Sequence, residues 1–312
     1  MIEGVTVYVF FLVVGVVALY AGAELLVAGA GRLALGLGLR AATVGVTVIA
    51  FATTAPELFV AVLGALDVSG DIGLGTIVGS NIANIGLVLG LAALVRPLEI
   101  SETSLRRHVP FMVLSALLLV VLGLDGTIGR LEGAVFLAVL AGFTGYLLYY
   151  VNADPPVQDS ASRREVTALD VALVIAGLVA LIIGSRWLIS GGRGLLSAMG
   201  FSDLFIGLTV LALGTSLPEL AASVVGAVRG ETGFSVGNVV GSNIYNVLAV
   251  LGIVALIVPI SVSPSTLRFE LPAMVVFTLV LTAMMIHGDR LSRVDGAVLV
   301  CGYVVFVYLL VP

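Results

Sequence analysis

Lysine is missing from this sequence altogether, and cysteine occurs once, at Cys301. One cysteine excludes a disulfide within the chain and argues against a thiolate metal centre, so Cys301 reads as a small apolar helix residue. Charge is scarce as well: 11% of the 312 residues are charged, against about 25% in a soluble domain. There is no basic stripe of the kind nucleic-acid binding needs. No basic residue precedes the first apolar run, where Glu3 is the only charge. That run therefore reads as a retained membrane helix and not as a cleaved signal.

What is present is apolar. Hydrophobic residues make up 60% of the chain, and the mean hydropathy is +1.23. The runs are long enough to cross a hydrocarbon core of about 30 Å, which takes about 20 helical residues. Charges, glycines and prolines divide them into ten expected segments: 5–30, 42–66, 72–95, 107–124, 131–151, 169–199, 204–228, 233–258, 268–287 and 294–311. The longest polar stretch, from Asn152 to Thr167, carries Pro155, Pro156, Arg163 and Arg164. The expected organisation is a five-helix half over 1–151, a cytoplasmic linker over 152–168 and a second half over 169–312.

The two halves repeat each other. Ala50-Phe-Ala-Thr-Thr-Ala-Pro-Glu57 matches Ala212-Leu-Gly-Thr-Ser-Leu-Pro-Glu219, and Val78-Gly-Ser-Asn-Ile-Ala-Asn84 matches Val240-Gly-Ser-Asn-Ile-Tyr-Asn246. The separation from Glu57 to Glu219 recurs unchanged from Ser80 to Ser242, from Asn84 to Asn246 and from Pro97 to Pro259. Chance likeness between apolar helices does not hold one register across polar residues and prolines, so this is a duplication. Five helices per half is an odd number, so the second half enters the membrane from the opposite side, as in many secondary transporters. The expected fold is all-α: ten transmembrane helices in two inverted five-helix repeats, with helices 2, 3, 7 and 8 broken. Ten arginines fall on one set of loops: Arg32, Arg40, Arg96, Arg106, Arg107, Arg163, Arg164, Arg229, Arg290 and Arg293. Three fall on the other set, Arg130, Arg193 and Arg268, with Arg186 inside a helix. The rich side is expected to be cytoplasmic, which puts both termini outside.

Chemistry concentrates at the two Pro-Glu pairs. Pro56 has no N–H to give the Ala52 carbonyl, and Pro218 likewise leaves the carbonyl of Gly214. Lipid cannot satisfy such carbonyls at mid-membrane depth. The hydroxyls of Thr53, Thr54, Thr215 and Ser216 lie on the same turns as Glu57 and Glu219. Carbonyl, hydroxyl and carboxylate oxygens gathered together suit hard cations such as Na⁺ and Ca²⁺. A carboxylate in mid-membrane costs about 2.5–3.5 kcal/mol on insertion scales for aspartate. With no arginine on the expected helices 2, 3 or 8 to pair it, a functional role outweighs a structural one. The Gly79-Ser80-Asn81 and Gly241-Ser242-Asn243 turns, with Asn84 and Asn246 one turn on, are expected to meet the two breaks.

The stretches TTAPE…GDIGLGTIVGSNIANIGLVLG and GTSLPE…GFSVGNVVGSNIYNVLAVLG resemble the α-repeats of the sodium/calcium exchangers in the cation/calcium antiporter superfamily, here a prokaryotic member. The resemblance covers nearly the whole chain. It implies that Glu57 and Glu219 are the shared Ca²⁺/Na⁺ carboxylates and that backbone oxygens of Thr53 and Thr215 complete the calcium shell. It further implies flanking sodium sites lined by the Ala50 and Ala212 carbonyls and the hydroxyls of Thr54, Ser216, Ser80 and Ser242. Asn84 and Asn246 would border the centre. Two departures stand out. Ala52-Thr53-Thr54-Ala55 replaces the family's usual Gly-Thr-Ser-Leu but keeps the hydroxyls, and asparagine at 246 resembles the animal exchangers where some prokaryotic members have aspartate. With two central carboxylates, Ca²⁺ neutralises the site and three Na⁺ leave it one charge positive, which is compatible with electrogenic exchange.

The expected function is therefore a secondary antiporter in the plasma membrane, exchanging Ca²⁺ for Na⁺ by alternating access. A Ca²⁺/H⁺ antiporter is the near alternative, and a cation channel with a carboxylate ring is a third reading. An enzyme is disfavoured, because the cluster has neither a cysteine nor a histidine and no nucleotide-binding loop exists. No cofactor and no obligate protein partner is expected; the partners are the transported ions and lipid. Among lesser features, Glu24 and Arg186 occupy equivalent positions, with independent snorkelling favoured over a bridge between them. Trp187 reads as an interfacial anchor. His108 and His287 read as solvated or capping residues at helix ends.

Overall fold

The computed structural model describes residues 2–37, 39, 41–67, 70–153, 165–199, 214 and 216–310. Apolar segments in lipid must satisfy every backbone group internally, and the described residues accordingly form ten helical runs. α1 is Ile2–Leu37. α2 is continuous through Ala41–Val44, Gly45–Ile49 and Ala50–Asp67. α3 runs through Gly70–Ala83, Asn84–Leu89 and Gly90–Val95. α4 joins Ser104–His108 to Val109–Leu122, and α5 is Arg130–Ala153. The second half gives α6 (Ala168–Ala198), α7 (Leu217–Arg229) and α8 (Thr232–Tyr245, Asn246–Leu251 and Gly252–Ile257). It ends with α9 (Thr266–Glu270 and Leu271–His287) and α10 (Arg293–Leu310). Eight helices among the described residues are long and apolar enough to cross a membrane, and the chain is an integral membrane protein.

The expected breaks take another form. α2, α3 and α8 are not interrupted. Each instead carries a π-helical stretch, at Gly45–Ile49, Asn84–Leu89 and Asn246–Leu251. A proline removes a single i→i−4 bond, and the neighbouring bonds carry α2 past Pro56 without ending it. The widened turns in α3 and α8 start at the equivalent residues Asn84 and Asn246, and π-bulges of this kind concentrate at functional sites. Of the four expected breaks, the one at Pro218 coincides with a helix start among the described residues: the proline occupies the first turn of α7, where its missing N–H costs nothing. Positions 204–213 and 215 of the expected segment 204–228 lie outside the described residues, as does 154–164 of the expected linker. After the linker, Thr167 and Asp170 close a reciprocal cap on α6.

α3 and α8 form the centre, with 78% and 83% of their spanning windows buried, against 17% for α1. α1 lies along α6, and glycines set the approach: a Cβ on Gly177 would stand 2.6 Å from the Leu26 nitrogen, and one on Gly22 2.8 Å from that of Leu181. Gly15 meets Gly184 while Gly22 meets Gly177, so the two helices run antiparallel. Short ladders tie the halves together: β1 (Leu98–Glu99) pairs with β4 (Arg290–Leu291), and β2 (Thr127–Ile128) with β3 (Ile260–Ser261). Their registers are images of each other, Leu98 opposite Leu291 and Ile128 opposite Ile260. The sequence equivalences reproduce this: Leu98 and Ile260 keep the spacing of the repeat, and Ile128 and Leu291 depart from it by a single position.

Three peripheral expectations meet the structure. Glu24 pairs with Arg229 at 3.3 Å and not with Arg186, which is exposed. Trp187 is partly exposed, as an anchor would be. His287 is exposed at the end of α9, but His108 is fully buried and neither ring nitrogen has a partner, because α4 starts one turn earlier than expected and places it inside the fold.

Candidate functional site

The polar residues of the two Pro-Glu turns and the two Gly-Ser-Asn turns converge between α2, α3, α7 and α8. Thr53, Thr54 and Glu57 on α2 are buried, as are Ser80, Asn81 and Asn84 on α3. Glu219 on α7, Ser216 just before it, and Ser242, Asn243 and Asn246 on α8 are buried to the same degree. Helical spacing explains the convergence. Ser80 and Asn84 are four residues apart, as are Ser242 and Asn246, so each pair shares one face of its helix. Ala50 is fully buried, packed with Tyr245 and Ala249 of α8. Ala212 and Thr215, also expected at the site, lie outside the described residues.

Direct bonds knit the four helices. Asn246 Nδ2 donates to Asn81 Oδ1 at 3.0 Å, and Asn81 Nδ2 donates to the Asn243 carbonyl at 3.5 Å. These join α3 to α8. Thr53 Oγ1 donates to Asn238 Oδ1 at 3.4 Å and to the Ala50 carbonyl at 3.3 Å. Asn238 Nδ2 donates in turn to Ser223 Oγ at 3.0 Å and the Glu219 carbonyl at 3.5 Å. Asn238 and Ser223 were not expected. Their signal was present in the same four-residue spacing: Asn238, Ser242 and Asn246 form one stripe, and Ser223 lies four residues after Glu219.

Oxygens without partners define what the cluster can do. Thr54 Oγ1, Glu57 Oε2, Ser80 Oγ, Asn84 Oδ1 and Ser216 Oγ are buried and make no hydrogen bond. The same holds for both carboxylate oxygens of Glu219, Ser242 Oγ, Asn243 Oδ1 and Asn246 Oδ1. A buried group left unsatisfied costs about 1–3 kcal/mol, and more when charged. All ten are oxygens, and all-oxygen donor sets of this kind suit hard cations. Among the described residues no three His, Cys, Asp or Glu side chains gather into a metal-binding group; of the ten oxygens, three belong to the carboxylates of Glu57 and Glu219 and seven to neutral side chains.

The chain is similar over most of its length to known proteins. The model of the family described as sodium/calcium exchanger protein matches residues 7–149 and again 169–311. The putative antiporter CaxA of Alkalimonas amylolytica is 34% identical over 277 residues, covering 86% of this chain and 87% of that one. The sodium/calcium exchanger MaX1 of Methanosarcina acetivorans is 29% identical over 310 residues, with 86% and 88% covered. Among solved structures, the sodium-calcium exchanger NCX_Mj soaked with Na⁺ and Sr²⁺ superposes with a TM-score of 0.86 at 26% identity, covering 97% of this chain and 98% of that one.

Proposed function

The chain belongs to the sodium/calcium exchanger family, and from that premise we propose that it exchanges Ca²⁺ for Na⁺ across the plasma membrane by alternating access. The observation that carries the proposal is the set of ten buried, unpartnered oxygens around Glu57 and Glu219. Glu57 and Glu219 serve as the carboxylates that both ions share. Backbone oxygens of Thr53 and Thr215 complete a calcium shell. The Ala50 and Ala212 carbonyls, with the hydroxyls of Thr54, Ser216, Ser80 and Ser242, take flanking sodium ions, and Asn84 and Asn246 border the centre. One set of oxygens cannot hold both loads at once, so binding of either ion displaces the other, which is the basis of exchange.

Alternating access follows from inversion of the repeats. Equivalent helices α1 and α6 lie antiparallel, which supports two halves, 1–151 and 169–312, inserted in opposite senses. The ladders support the same reading. The loop carrying β1 is equivalent to the loop carrying β3, yet β1 pairs with β4 and β3 with β2, so equivalent loops sit at opposite ends of the spanning helix α4. Every route from the site to one face then has an image leading to the other. The arginine bias puts the loops of Arg32, Arg96 and Arg229 in the cytoplasm, and both termini outside.

The deciding experiment loads proteoliposomes with Na⁺ and follows ⁴⁵Ca²⁺ uptake down the outward sodium gradient. Sodium-dependent, saturable uptake is the expected result. Uptake driven equally well by a pH gradient without Na⁺ would replace sodium by protons, and large single-channel currents would replace the exchanger by a channel.

A further inference from the structure

We infer that Asn238 is a positioning residue that frees the Ala50 carbonyl for a cation and thereby sets the sodium dependence of exchange. The inference rests on the exchanger reading above. The Thr53 hydroxyl has one proton and two acceptors at nearly equal distance, the Ala50 carbonyl at 3.3 Å and Asn238 Oδ1 at 3.4 Å. A cation on the Ala50 carbonyl competes with that proton for the same oxygen. The hydroxyl releases Ala50 at least cost when a second acceptor stands within hydrogen-bond distance, and Asn238 Oδ1 is such an acceptor.

The amide is built for the task. Asn238 is fully buried, and its Nδ2 donates to Ser223 Oγ and to the Glu219 carbonyl at 3.0 and 3.5 Å. Both bonds fix the amide plane and turn Oδ1 towards Thr53. One side chain on α8 thus links the two carboxylate-bearing helices: α7 through Glu219 and Ser223, α2 through Thr53. The equivalent position in the first half, at the spacing of the repeat, is Thr76, which has no amide.

The test uses the full chain in proteoliposomes and two measurements: the sodium concentration for half-maximal Ca²⁺ efflux, and the calcium concentration for half-maximal Ca²⁺/Ca²⁺ exchange without sodium. Asn238→Thr installs the residue that the first half carries at this register, and Asn238→Ala is the second variant. Each is expected to raise the sodium requirement about fivefold, the worth of one hydrogen-bond acceptor, and to leave the calcium requirement within about twofold. Thr53→Val removes the competing proton, so Asn238→Thr added to it produces no further sodium shift. Equal shifts for both ions overturn the assignment, as does a sodium shift that persists in the Thr53→Val background. Loss of both fluxes in both variants also overturns it, by making Asn238 a general structural residue. Wild-type chain with no sodium-dependent flux overturns the exchanger reading itself and is seen before any variant is compared.

Discussion

Replacing Gly241 by alanine strikes the site through its packing while leaving every donor oxygen in place. A Cβ there would lie 2.5 Å from the Ala50 Cβ, 2.7 Å from the Val46 carbonyl oxygen and 2.8 Å from the Val46 Cα. Val46 belongs to the π-helical stretch Gly45–Ile49, so two of the three obstacles are backbone and cannot rotate away. Ordinary contact starts at 3.4 Å, so α8 must withdraw from α2 by about 0.9 Å at the Ala50 level. Overpacking of this kind costs about 1–3 kcal/mol, of which the better helix propensity of alanine returns roughly 0.5–1 kcal/mol. Function suffers more than stability. Calcium–oxygen distances span only about 2.3–2.6 Å, and Ala50 lies one turn from Thr53 and Thr54. The expected outcome is a modest fall in melting temperature in detergent and loss of most ⁴⁵Ca²⁺ flux. Gly142→Ala on α5 meets nothing within 4 Å and should transport normally. Wild-type flux and stability in Gly241→Ala would refute the reasoning.

Glu57→Gln and Glu219→Gln should each abolish calcium transport while leaving expression and membrane insertion intact; near-normal exchange in both variants would sink the assigned site. Asp170→Ala removes the acceptor of two bonds from Thr167, at 2.9 and 2.8 Å, and should cost about 0.5–2 kcal/mol of stability with calcium flux unchanged at permissive temperature. Glu24→Gln should cost no more than about 1 kcal/mol, because the pair with Arg229 is 30% and 39% exposed and Arg229 also donates to the Glu24 carbonyl at 3.2 Å. Thermal unfolding measures both, and a loss several times larger in Glu24→Gln would place that pair in a far less hydrated setting than its exposure indicates.

The periodic part of the design was legible. Helix limits read from charges, glycines and prolines fall within a few residues of most observed ends, since lipid admits few alternatives to a helix spanning its full thickness. The duplication was legible too, because polar residues held at one unvarying separation betray it whatever the apolar background. Breaks in α2, α3 and α8 were misread. Proline and glycine announce that a helix is perturbed, but whether the turn opens or merely widens depends on the neighbouring helices that re-satisfy its backbone. Asn238 escaped because its image is Thr76, and a search for identical residues in both halves passes over a position where they differ. Glu24 was expected to snorkel on its own rather than bridge to Arg186, its sequence equivalent; its neighbour Arg229 is set by how α1 lies on α7, which no spacing records.

Ion competition on the proposed reading comes down to charge against coverage. A calcium ion takes about six to eight oxygens, fewer than the ten unpartnered side-chain oxygens of the cluster together with the backbone carbonyls beside them. A single Ca²⁺ therefore matches the two glutamates in charge but leaves flanking oxygens bare. Several Na⁺ ions reverse the balance: spread over the same oxygens they satisfy more of them, but three of them exceed the carboxylate charge by one. Neither load satisfies both demands, so neither ion dominates at all concentrations, and each is displaced when the other is abundant. A third carboxylate would tip that balance towards whichever ions bring more positive charge. The amide of Asn246 keeps it level: it spends its N–H on Asn81 and leaves its Oδ1 unpartnered, contributing an oxygen without a charge.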